Sequence, residues 1–188
     1  LDEKNSDRSY DKALEQFLAQ QLSSKDVALL LESKKQSLQL EQLQMQAFAT
    51  ARKGDWAQAE KFYTEALGKF DQSDKAGKLL YADAESNLAI LKSEQGDFEG
   101  SIKMLLQARQ TYIEQSSKES TGYITLLNKL GSTYLKAGKT QLAYETLSES
   151  MAQSNIISEG SLLSMQALTG IGSVYYQEGK IVQADSAF

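Results

Sequence analysis

A glycine-centred turn recurs along this 188-residue chain at a nearly constant interval. The turns begin at Gly54, Gly96, Gly138 and Gly179, so the intervals are 42, 42 and 41 residues. Periods of about 20–50 residues are typical of arrays in which one supersecondary unit is stacked many times. This repeat constrains the fold more than any other feature, because each unit has to bury its apolar face against its neighbours.

The residues after each glycine share a pattern. A small residue lies five positions after the glycine, and a large apolar residue lies four positions further on. A spacing of four places both on one face of a helix, where the small residue lets a neighbouring helix approach and the large one fills the remaining space. The small residues are Ala59, Ser101, Ala143 and Ala184, and the large ones are Tyr63, Leu105, Leu147 and Phe188.

Apolar residues at helical spacing also precede the glycines. Each unit is therefore predicted to be a helix, a glycine turn and a second helix, with the glycine in the left-handed conformation that commonly ends a helix. The chain has no proline, which fits nearly complete helix. The apolar positions are Leu88 and Leu91 in the second unit, Leu127, Leu130 and Tyr134 in the third, and Leu168, Ile171 and Tyr175 in the fourth.

This arrangement resembles the tetratricopeptide repeat, in which Leu-Gly-x2-Tyr precedes the turn and Ala-x3-Phe follows it. In the third unit Leu130, Gly131 and Tyr134 match the first part, and in the fourth Ile171, Gly172 and Tyr175 match it. The first two units match less closely, and no unit has the closing proline. The resemblance implies an all-α fold, a right-handed superhelix of antiparallel helix pairs, and a role in binding proteins or peptides.

We predict a single solenoid over residues 1–188. A helix is expected from about Lys25, capped by Ser23 or Ser24, to Lys53, with a break near residues 33–37 as an alternative. Polar loops are expected at 71–74, 114–117 and 154–155. The predicted units are a half-repeat at 9–22 carried by Ala13 and Phe17, repeats at 24–71, 76–113 and 120–154, and a truncated repeat at 160–188.

The amino-acid composition argues against several classes of function. The chain carries 20 Lys and Arg against 25 Asp and Glu, and this net charge of −5 gives no electrostatic footprint for nucleic acid. No apolar run approaches the length of a membrane span. The chain has no His and no Cys, which removes the usual general base and the commonest zinc ligands. We therefore expect no enzyme activity, no cofactor and no metal. The compartment stays open between the cytoplasm, which is slightly favoured, and a bacterial periplasm.

Three local patterns could indicate a more specific site or interface than a repeat turn or a repeat helix. Gly138-Lys139-Thr140 resembles the end of a phosphate-binding loop, but the upstream glycine and strand are missing. Gly170-Ile171-Gly172 lacks the third glycine of a dinucleotide fingerprint. Leu31, Leu38 and Met45 recur every seven residues and leave a coiled-coil dimer seam as the alternative to packing as a repeat helix.

The family resemblance also implies a binding groove. In such repeats the first helices line the concave face, and inward positions lie about ten, six and two residues before each turn glycine. Amides and hydroxyls dominate these positions and can pair with the backbone of an extended peptide. The predicted peptide-binding residues are Gln44, Phe48, Arg52, Ser86, Asn87, Ile90, Glu94, Asn128, Ser132, Lys136, Thr169, Ser173, Tyr176 and Gln177.

Two broader expectations concern the whole protein. The first reading is a scaffold that holds a partner, and the alternative is an N-terminal regulatory or sensor segment of a larger bacterial signalling or transcription-regulating protein. We also expect the natural chain to continue past Phe188. Apolar residues near an uncapped end favour self-association.

Overall fold

The computed structural model describes residues 24–115, 117–157 and 160–187. The predicted half-repeat at 9–22 and Phe188 lie outside these residues. The described part is all-helical, with no strand. Its helices are α1 Ser24–Ala51, α2 Trp56–Leu67, α3 Lys75–Glu94, α4 Phe98–Glu114, α5 Thr121–Lys136, α6 Thr140–Ile157, α7 Leu162–Gln177 and α8 Ile181–Ala187.

The contacts divide the chain into two compact units, Leu1–Gln42 and Leu43–Phe188. The described part of the first unit is helical throughout and belongs to α1, which begins one residue before the predicted start and has no break at 33–37. No helix in the described part of the chain is both long and apolar enough to cross a membrane. The predicted repeat boundaries stay predictions.

In the second unit, glycine turns join the paired helices α3 and α4, α5 and α6, and α7 and α8. The four turn glycines all have positive φ, between 71° and 88°, which confirms the predicted left-handed conformation. Successive helices from α2 onward pack on one another, and α5 also contacts α3 and α7. The first helices of neighbouring pairs therefore form one continuous row, as in a solenoid.

Short polar side chains fix where several helices begin. Asp55, Asp74 and Asp97 each accept a hydrogen bond from the backbone N–H three residues later, and Ser120 and Ser161 do the same. Each such bond satisfies one of the N–H groups that the first turn of a helix leaves unpaired. The polar residues around each turn thus set the start of the following helix.

The predicted small and large residues of the second helices form the core. Three of the small residues are fully buried and Ala184 is nearly so, while the large residues at the described positions are at most 6% exposed. The side chain of Leu147 lies directly against Gly131 of α5 and Gly170 of α7. The predicted face of each second helix is therefore confirmed for the described residues.

Two local expectations are wrong. Ser154 and Asn155 are helical rather than a loop, because α6 continues to Ile157 and buries Ser154, whose Oγ lies 2.6 Å from Ser161 Oγ. Leu168, predicted as a core residue, is 40% exposed. It lies on the same side of α7 as the exposed residues Leu162 and Met165.

The C-terminal part of α1 packs as the first helix of a repeat does. Leu43 and Ala47 of α1 are buried, and Ala47 belongs to a cluster with Tyr63, Leu88 and Leu91. Leu38 and Met45, two positions of the alternative heptad, are exposed. The contacts of α1 with the core thus follow the repeat pattern.

Candidate functional site

The row of first helices carries a groove of about 530 Å³. Residues from α3, α5 and α7 line it, so three successive repeats contribute to one surface. Seven of the predicted peptide-binding residues meet there. They are Ile90, Glu94, Asn128, Ser132, Lys136, Thr169 and Ser173.

A smaller cavity of about 230 Å³ adjoins this groove, because Ile90 and Glu94 line both. Three further predicted residues, Phe48, Arg52 and Asn87, line it. Ala51, Trp56, Tyr63 and Leu91 complete its walls. We call the larger space the polar groove and the smaller one the apolar cavity.

Four predicted residues line neither space: Gln44, Ser86, Tyr176 and Gln177. Ser86 is buried, and its hydroxyl donates to the Asp83 carbonyl oxygen at 2.7 Å. Tyr176 and Gln177 are exposed near the end of α7. A role of these four residues in binding stays a prediction.

Asn128 lines the polar groove, but its amide already holds three helices together. Its Nδ2 donates to the Leu163 carbonyl oxygen of α7 at 3.1 Å, and its Oδ1 accepts from Ser150 Oγ of α6 at 2.7 Å. The Asn128 side chain is therefore a fixed part of the groove wall.

Other polar groups of the groove are open to a ligand. Among the described residues, neither the Thr125 nor the Ser132 hydroxyl makes a hydrogen bond, and Gln166 Nε2 donates none. The hydroxyls of Thr169 and Ser173 donate to carbonyl oxygens of their own helix and keep lone pairs free to accept. The groove thus presents neutral donors and acceptors along its length.

Lys129 is the main groove residue that sequence reasoning missed. Its Nζ donates to Ser86 Oγ at 2.8 Å and to Asn87 Oδ1 at 2.6 Å, which connects α5 to α3. Burial lowers the pKa of this amine from 10.5 to about 8, and the negative charge of Asp83 partly opposes the shift. A signal was available, because Lys129 stands nine residues before Gly138 as Asn87 stands before Gly96.

The pKa of Lys129 predicts a pH dependence of stability. Its folded value is below the unfolded one, so between about pH 8 and 10 the unfolded chain holds a proton that the folded chain has lost. The free energy of unfolding should therefore rise by about 1–2 kcal/mol from pH 7 to 9.5 relative to a Lys129→Met variant. Urea denaturation at each pH measures this difference. Parallel pH profiles of the two proteins would show that the amine is not desolvated.

An ion pair lies where the polar groove meets the apolar cavity. Lys136 Nζ of α5 donates to Glu94 Oε1 of α3, and both side chains are roughly half exposed. Such an exposed pair contributes little to stability, about 0–1 kcal/mol. Its main effect is to neutralise the only carboxylate that lines either space in the described part of the chain.

Comparisons with known proteins confirm the predicted resemblance. A sequence model of the tetratricopeptide repeat matches residues 40–114. No curated protein matches the chain by sequence. The matched residues run from within α1 to the end of α4 and include α3, one of the three helices that line the groove.

Solved structures show the same fold. The crystal structure of BtubC (BKLC) from P. vanneervenii superposes with a TM-score of 0.72 at 21% identity and covers 87% of this chain. Two structures of a Podosopora anserina protein described as a kinesin light chain with nearly identical TPR-like repeats give 0.62 and 0.60, each at 16% identity over 93% of this chain and 88% of theirs. The chain spans 64% of the BtubC chain. At these identities the likeness establishes the TPR-like solenoid fold.

Proposed function

We propose that this tetratricopeptide-repeat chain holds an extended segment of a partner protein in the polar groove formed by α3, α5 and α7. Tetratricopeptide repeats generally mediate contacts between proteins. The proposed role is binding without catalysis.

One observation carries the proposal: three consecutive repeats line a single open groove, in which neutral hydrogen-bonding side chains outnumber the charged ones and Glu94 is paired with Lys136. An extended peptide offers a backbone N–H and a C=O at every residue, and both need partners when they leave water. Thr125, Ser132 and Gln166 can supply donors, while the hydroxyls of Thr169 and Ser173 can accept. A charged ligand such as nucleic acid would instead need a basic surface.

The groove walls are held in place before a ligand arrives. Asn128 connects α5 to α6 and α7, and Lys129 connects α5 to α3. A preformed groove lowers the cost of ordering that binding would otherwise carry. We therefore expect a peptide to bind without rearrangement of these helices.

Two other readings stay hypotheses. Self-association through the C-terminal end has one supporting observation, because Leu162, Met165 and Val182 are 67%, 53% and 78% exposed. The alternative of a regulatory or sensor segment in a larger bacterial protein rests on no particular contact of this chain. Peptide binding is favoured because its residues come from three repeats rather than one end.

Selection of a displayed library of twelve-residue peptides against the chain tests the proposal. Binders are synthesised with blocked termini and titrated by fluorescence polarisation. Ser132→Arg places a long side chain in the groove, at an exposed position with no hydrogen bond to lose, and should weaken binding at least tenfold.

Gln107→Arg is the matched control, because it makes the same change in charge at an exposed site on α4 that lines neither space. It should leave the affinity unchanged. Equal binding to both variants would place the contact elsewhere and defeat the proposal.

A further inference from the structure

The apolar cavity differs from the polar groove that it adjoins. Its walls include the apolar side chains of Phe48, Trp56, Ile90 and Leu91. Phe48 is 59% exposed and Trp56 is 36% exposed, so two large aromatic rings face water. Removing such apolar surface from water is favourable. The cavity therefore attracts an apolar group.

The size of the cavity limits what that group can be. An engineered apolar cavity of about 150 Å³ takes up benzene. With about 230 Å³, this one has room for a side chain of the size of leucine or phenylalanine. It is too small for a helix, so we expect one side chain rather than a whole element to enter it.

Among the described residues that line the cavity, Arg52 carries the charge that is not held in an ion pair. Its guanidinium carbon lies 5.9 Å from the centroid of the Phe48 ring, so the cation rests over the aromatic face. In the described part of the chain no carboxylate lies within ion-pair distance of Arg52. Glu94, the carboxylate of this cavity, already pairs with Lys136. An unpaired guanidinium is thus left at the edge of an apolar site.

Building on the proposed function, we infer that this cavity anchors the bound peptide through one leucine- or phenylalanine-sized side chain, with an acidic residue beside it that pairs with Arg52. The apolar side chain would lie between Phe48, Trp56 and Ile90. The guanidinium can hold a carboxylate through two N–H groups at once. The remainder of the peptide would continue past Ile90 into the polar groove, because that residue borders both spaces.

Three small probes test the anchor without knowledge of the partner. They are 3-phenylpropionate, 3-phenylpropan-1-ol and 3-phenylpropylamine, which share a phenyl ring and a three-carbon chain and differ in the terminal group, which is negative, neutral and positive in turn. In NMR titrations of the full chain, we expect the carboxylate to bind about threefold more tightly than the alcohol, since an exposed ion pair contributes modestly. The amine should bind most weakly.

Variants assign this preference to residues. Arg52→Gln should bring the carboxylate and the alcohol to equal affinity, while Phe48→Ser should weaken all three probes at least fivefold. Phe48 is exposed, and far-ultraviolet circular dichroism will confirm that its replacement leaves the helices intact. Lys53→Gln removes the neighbouring positive charge at a position that lines neither space and should leave the order unchanged.

Each result decides one part of the inference. Equal binding of the three probes to the unaltered chain would overturn the acidic neighbour, and binding that survives Phe48→Ser would overturn the apolar anchor. The library peptides separate this inference from the proposed function. Peptides that lose affinity with Ser132→Arg but not with Phe48→Ser would leave the groove in use without the anchor.

Discussion

Replacing Leu147 by alanine should lower the free energy of unfolding by about 2–5 kcal/mol, among the largest effects of a single core truncation. Leu147 is 2% exposed and lies between α5 and α7. A methyl group added at Gly131 would come within 2.5 Å of its Cγ, and one added at Gly170 within 2.8 Å of its Cδ1. Removing the Leu147 side chain leaves a void between α5, α6 and α7. This void cannot collapse unless the neighbouring repeat moves.

A double-mutant cycle in urea denaturation gives the sharpest measurement. Gly131→Ala alone should cost about 1–3 kcal/mol, because the new methyl group displaces Leu147. In the Leu147→Ala background the same methyl group enters the void, so the two costs should fall short of additivity by more than about 1 kcal/mol. Additive costs would mean that these residues do not touch.

Gly68→Ala is the matched control for the glycine change. Gly68 has a right-handed φ of −67°, and a methyl group there would make only ordinary contacts with the nearest atoms. Its replacement should raise the free energy of unfolding by up to about 1 kcal/mol, because alanine has less freedom in the unfolded chain. The opposite signs at Gly131 and Gly68 would locate the effect in packing rather than in helix propensity.

Most of the fold could be predicted because the same pattern of buried residues recurs in each repeat. One small residue and one large residue four positions apart, as at Ala143 and Leu147, specify which face is buried without any knowledge of the partner helix. The glycine between the paired helices adds a conformational requirement that other residues rarely meet. These signals are local, and the sequence contains them directly.

The site was less predictable because its chemistry depends on contacts between distant residues. The spacing placed Asn128 on the groove, but only the structure shows that its amide is engaged by Ser150 and Leu163. Lys129 follows Leu126 and Leu127, so its position in a buried stretch indicates burial but not its acceptors on α3. The spacing of polar residues along one helix predicts which of them share a face. It does not show which of their polar groups are already hydrogen-bonded to neighbouring helices.

Ala143→Leu should lower the free energy of unfolding by about 1–3 kcal/mol. Ala143 is fully buried in the cluster that holds α5 and α6 together, and leucine adds three carbon atoms where the helices approach closely. A close-packed interior accepts that volume only by shifting a helix or straining a rotamer. Urea denaturation again measures the change, and an unaltered midpoint would mean that the predicted register is incorrect.

The equivalent position one repeat earlier gives the complementary prediction, with the opposite sign. Ser101 is fully buried like Ala143, yet its hydroxyl is without a hydrogen-bond partner in the described part of the chain. A buried hydroxyl that is left unpaired has lost its bonds to water without replacement. Ser101→Ala supplies the residue that the other repeats carry there, so it should raise the free energy of unfolding by about 1 kcal/mol. A gain at Ser101 together with a loss at Ala143 would show that the close contact between paired helices requires a small side chain, and that the hydroxyl of Ser101 contributes nothing to it.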